Sequence, residues 1–260
     1  MKKEKYDLIV SLGAQCSCSQ LLRSLNLQDY SFPFDWLGGG ELKTRVSLVI
    51  NNFKDFLNLE DLELIGSRTN PEPCDIYKNN KTDIVFNHDF QIGMPIENTY
   101  PFVKEKYQRR EKRLLNLITQ SKKILFMYIE ALGNPEYSAE YIKEAYDKLK
   151  NAYPDKEIYF KYIYLTKDNS NDNEYKKLSD NIEMYSFDLA KYNTETKLYD
   201  MDSNKLKKKF KYLKLKRKFS LKRFANLFFS YKVQDFYDRQ KVFVKILGIK
   251  IKFKIKNKKY

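Results

Sequence analysis

Two residue types in this 260-residue chain are scarce: three cysteines (Cys16, Cys18 and Cys74) and one histidine (His88). A thiol and an imidazole are the minimum set for cysteine nucleophilic catalysis, in which the thiolate attacks and the imidazole carries the proton. Cys16 stands in IVSLGAQCSCSQLL, where an apolar run ends at Gly13 and helical spacing begins. A thiol there meets free backbone N–H groups and the positive end of a helix, which favour a thiolate and can hold an oxyanion. Gly13 permits a sharp exit from the strand. The competing reading of Cys16 is a small buried apolar residue, a common fate of free cysteine. Cys18 falls on a different side of the same helix. His88 follows a second apolar run in VFNHDF. It is therefore expected at the carboxyl edge of the sheet, and its alternative is a structural histidine in a loop. Asp89 is its neighbour in sequence, which by itself orients nothing.

Further candidates surround this pair. FPFDW, Phe32 to Trp36, holds the only tryptophan and an aspartate among apolar groups. Asp35 must find a donor there, either by orienting His88 or by capping a helix. YQRREKR sets Arg109 and Arg113 on one helix face, where they would meet solvent or an acidic group. Gly13, Gln15, Trp36, Arg109 and Arg113 are the candidate substrate contacts. Cys16, Cys18, Cys74 and His88 could in number ligate zinc, but C-x-C with isolated partners is not a common zinc spacing. LGGGEL lacks the Lys-Ser/Thr of a phosphate loop. Neither a metal nor a cofactor is expected.

The elements that must position these residues alternate. Strands are predicted at Tyr6–Leu12, Asp75–Asn79, Asp83–Asn87, Lys123–Ile129, Glu157–Leu165 and Ile182–Phe187. Helices are predicted at Ser17–Leu25, Leu42–Phe56, Tyr100–Gln120 and Ser138–Ala152. DYSFPFDWLGGGEL and SRTNPEPCD read as loops, the second placing Cys74 outside any strand. Apolar strands alternating with helices imply an α/β layered fold with a mainly parallel sheet and flanking helices.

Charge divides the chain. Of 49 basic and 34 acidic residues, 21 and 2 lie beyond Ser203, so residues 1–200 read as the α/β domain and 201–260 as a basic extension. In the extension, Leu206, Phe210, Leu213, Leu221, Phe224, Phe228 and Tyr231 follow a helical stripe. From Val242 the period becomes two, predicting a β-hairpin around Gly248. A basic amphipathic extension suits an anionic membrane surface, with nucleic acid as the competing polyanion. Three cysteines make no disulfide framework, and Leu8–Leu12 is too short for a signal peptide. The expected location is cytoplasmic, with the extension at the inner face of a membrane.

Taken in order, SLGAQCSCSQLL, PFDWL, NHDF, KYQRREKRLLNL and KILFMY resemble a bacterial domain family of unknown function labelled "putative papain-like cysteine peptidase". The resemblance runs from about Tyr6 to about Phe187. It implies Cys16 as nucleophile and His88 as base, and Asp35 and Asp89 match the family's recurrent aspartates. The arrangement also looks like cysteine–histidine acyl-transfer proteins of polysaccharide loci, and KVFVKILGIKIKFKIK is similar to C-terminal extensions on proteins of such loci. The readings left open are a hydrolase of peptides, an acyltransferase using a glycan or acyl donor, and a non-catalytic membrane scaffold.

Overall fold

In the computed structural model, residues 3–70, 72–130, 136–166, 174–188, 203–217, 229–236, 239–246 and 249–256 are described. The chain forms two compact units, Met1–Lys216 and Arg217–Tyr260.

Unit 1 is built on a five-stranded sheet. Its strands are β2 (Leu8–Ala14), β7 (Lys123–Ile129), β8 (Glu157–Thr166), β10 (Ile182–Asp188) and β9 (Tyr175–Ser179), in that spatial order. The first four run parallel and β9 pairs antiparallel at the edge. The near-unbroken apolar runs of β2 and β7 are explained by cover on both faces. On one face Val10, Phe126 and Phe160 join a core with α2 (Leu42–Ile50), α3 (Ile96–Gln120) and α4 (Ala139–Ala152). On the other, Ile9, Leu125 and Ile163 pack with α1 (Cys16–Ser24) and α5 (Ser203–Phe210). This is the expected mixed α/β architecture.

A second sheet was not expected. It is four-stranded and antiparallel, in the order β3 (Leu37–Gly39), β6 (Ile84–Phe90), β5 (Cys74–Asn79), β4 (Leu62–Arg68). Its inner face is aromatic: Phe86 and Phe90 meet edge to face with ring centroids 6.1 Å apart, and Phe56 and Tyr107 pack on them. Two sequence expectations change here. HDF lies inside β6, because Phe90 pairs with Asp75 and is buried beside Phe86. Cys74 opens β5, paired with Arg68 of β4, and is not in a loop.

Other boundaries also move. Helix α2 ends at Ile50 rather than Phe56, because Asn52, Phe53 and Asp55 take φ of 54°, 60° and 62°, which no helix continues. Strand β2 runs through Gly13 to Ala14, while Tyr6 belongs to β1 (Glu4–Tyr6). Strand β1 pairs in parallel with β11 (Leu213–Leu215), so residues 203–215 pack within unit 1. Buried Lys161 ties them down: it bridges Glu183, lies 3.6 Å from Glu4 and faces the rings of Tyr185 and Tyr212.

Unit 2 contains a three-stranded antiparallel sheet, β12 (Phe229–Phe236), β13 (Arg239–Ile246) and β14 (Ile249–Lys256). Tyr231 is therefore in a strand and not on a helical stripe; Leu221, Phe224 and Phe228 lie outside the described residues. Among the described residues, no helix is long and apolar enough to cross a membrane.

Candidate functional site

Gly13, with φ +114°, leaves no room for a side chain: a Cβ built there would lie 2.3 Å from Nη1 of Arg45. Arg45 is fully buried and projects from α2 under the end of β2. It donates to the carbonyls of Leu12, Ala14, Leu37, Gly38, Gly39 and Gly40, at 2.9, 2.8, 3.2, 3.1, 2.6 and 3.0 Å. Burial lowers its pKa from the usual arginine range, while the six carbonyl dipoles and the charge of the buried Glu130 favour the guanidinium. The junction brings Ala14 beside Gly38, and thereby joins the two sheets. Strand β3 then pairs Leu37 with Phe86 and Gly38 with Val85, which carries β6 to the same place.

Cys16 follows two residues after Ala14, as the first residue of α1, with Gln15 in the extended N-cap position. It is half-buried, whereas Cys18 and Cys74 are buried. One face of α1 continues from Cys16 to Arg23, whose guanidinium lies 5.6 Å from the Trp36 ring centroid. Trp36 meets His88 edge to face at 6.2 Å. These contacts tie Trp36 to Arg23 of α1 and to His88, and His88 comes from the second sheet and not from an edge of the first.

His88 is exposed on β6. Arg68 of β4 lies with Nη2 3.0 Å from its Nδ1. Arginine only donates, so Nδ1 accepts and the ring proton sits on Nε2. Desolvation against the neighbouring protein, and then the Arg68 charge, hold the imidazole below its ordinary pKa. Asp89 alternates to the opposite side of β6. Its carboxylate is buried, bridges Lys106 and accepts from Tyr107 at 2.8 Å. Burial raises its pKa, but the Lys106 charge and these bonds outweigh that and leave it below the usual carboxylate range.

Asp35 takes the capping role and does not orient His88. Its Oδ2 accepts from the Phe32 backbone at 3.0 Å, Gln28 at 2.6 Å and Arg23 at 2.9 Å. Burial still wins and raises its pKa. Of the basic pair on α3, Arg109 bridges Glu105 at the surface, while Arg113 donates to the Ser31 carbonyl at 3.0 Å and faces Tyr30. The Cys18 thiol donates to the Met127 carbonyl, and burial pushes its pKa up to about 12. The Cys74 thiol donates to the Asn87 carbonyl at 2.9 Å, and burial raises its pKa also. With both thiols engaged elsewhere, the four soft donors form no ligand set. Among the described residues, no group of three or more His, Cys, Asp or Glu could hold a metal ion.

Arg45, Arg23 and Arg68 escaped the sequence reading. For Arg45 a signal existed. It sits at the third position after Leu42, with Val46 and Val49, on the apolar stripe of α2, where a charge demands buried partners. Arg68 gave none, since cross-strand register alone brings it to His88.

Comparison with known proteins agrees with the motifs. Over 157 residues the chain is 29% identical to an uncharacterised protein, R408, of Acanthamoeba polyphaga mimivirus, covering 55% of this chain and 70% of that protein. This relative is viral, so the bacterial attribution rests on motif resemblance alone. No solved structure matches. A family model matches residues 7–157, which span β2 to the start of β8 and include Cys16, Trp36, His88 and the Arg45 junction. With more than half its length matched, the chain belongs to the family described as "putative papain-like cysteine peptidase".

Proposed function

We propose that this chain is a cysteine-nucleophile hydrolase of an amide or ester, with Cys16 as the attacking group. The observation that carries the reading is that Cys16 alone of the three cysteines is not buried, and it is the one that opens α1 at the end of β2. The thiolate attacks the carbonyl carbon and forms a C–S bond. The N–H groups of the first turn of α1 receive the oxyanion. His88 takes the thiol proton at Nδ1 once Arg68 leaves that atom, and returns it to the leaving group as the C–N or C–O bond breaks. Water then hydrolyses the thioester. Trp36 and Arg23 form the wall over which the substrate lies. Family membership supports the reaction class, and the residue roles are this proposal's own.

The test is alkylation by iodoacetamide near pH 6, read by peptide mass spectrometry. Cys16 in the folded chain is expected to react about tenfold faster than in the urea-unfolded chain. His88→Ala is expected to remove most of that excess. A folded-state rate at or below the unfolded rate would sink the proposal.

A further inference from the structure

The register of unit 2 sorts its residues sharply. Strand residues alternate between the two faces of a sheet. One face takes Tyr231 of β12, Val242 and Val244 of β13, and Ile251 and Phe253 of β14, which stand in register across the three strands. The other face is cationic. Arg239 stands opposite Lys256, Lys241 opposite Lys254 and Lys245 opposite Lys250. Lys232 and Lys252 flank Phe243 from the two neighbouring strands. No Asp or Glu of the three strands shares that face, because Asp235 pairs with Gln240 on the apolar one.

Like charges directly opposite one another destabilise a strand pair. Three such pairs in a single hairpin are a cost that an opposing array of negative charge removes. We propose that the cationic face of β12–β14 docks on the anionic surface of a lipid bilayer. The shape of the array favours a membrane over a nucleic acid. Three strands at about 4.8 Å spacing make a lattice broader than the two-stranded ribbon that a DNA major groove admits. Its cations are lysines apart from Arg239, point charges on flexible stems that suit a sheet of phosphates; planar bidentate recognition would call for arginine. Each basic residue near an anionic surface contributes roughly a fivefold factor in partitioning.

The experiment is co-sedimentation of the full chain with phosphatidylcholine vesicles, with and without phosphatidylserine, under rising salt. Binding is expected only with phosphatidylserine, and is expected to weaken with salt. The combined variant Lys241→Gln, Lys245→Gln, Lys250→Gln, Lys254→Gln removes two of the three repulsive pairs, so it keeps its circular-dichroism spectrum. It is expected to partition roughly several hundredfold less. The matching Lys→Arg variant is expected to bind like the parent. Equal binding to both vesicle types, an unaffected Gln variant, or stripping from vesicles by duplex DNA at equal phosphate concentration would each overturn the proposal.

Discussion

Arg68 donates to Nδ1 of His88, and the lone pair it occupies is the one a thiol proton would need. The same guanidinium disfavours the imidazolium by its charge. Arg68→Gln is therefore expected to raise the His88 pKa toward its ordinary value of about 6.5. With one histidine in the chain, an NMR titration of its Cε1 proton reads this without assignment; an unmoved midpoint would deny Arg68 any electrostatic role. Asp89 lies back to back with His88 and serves stability. Its folded pKa is held below the unfolded value of about 3.9, so its contribution is complete above that value and is lost as pH falls through the folded one. Asp89→Asn leaves Lys106 facing a neutral amide. It is expected to cost about 2 kcal/mol at neutral pH, less than a fully buried pair because Lys106 is partly solvated. Urea unfolding should show that deficit shrinking below about pH 4; a constant deficit across pH would assign the loss to packing.

Among the elements, α2 positions the site. A single arginine on its apolar stripe binds the end of β2 and the glycine run together, and so fixes where α1 begins. Arg45→Lys keeps the charge but offers three donors in place of a fork, too few for six carbonyls. Unsatisfied buried carbonyls make the expected loss about 3–5 kcal/mol, or roughly 10 °C in Tm, read by calorimetry. A change within a degree or two would show that water replaces the guanidinium. The sequence made the helices and parallel strands legible, because long apolar runs and helical stripes report burial directly. The antiparallel sheet was read only in part. LELIGSR is largely solvent-facing and carries little strand signal, and HDF followed a run that already looked complete. Cys16 and His88 drew notice by scarcity. The contacts of Arg23 with Trp36 and of Arg68 with His88 did not, since contacts between elements depend on register that no local pattern encodes.

For the whole molecule, the charge imbalance visible in composition separates into two physical problems. Unit 1 balances its acids and bases in local pairs, such as Arg23 with Asp35 and Lys106 with Asp89. Unit 2 collects cations on one face of a sheet. The break at Lys216 falls after β11, so the first part of the basic extension is structurally part of the α/β body. The Arg45 junction also carries a consequence for synthesis. Its guanidinium reaches back 33 positions to Leu12. While the chain is still emerging from a ribosome, Cys16 therefore leaves the exit tunnel well before the residue that shapes its surroundings. A nascent chain stalled short of α2 would lack the cation that gathers the end of β2 and the glycine run, and that junction closes only when Arg45 arrives.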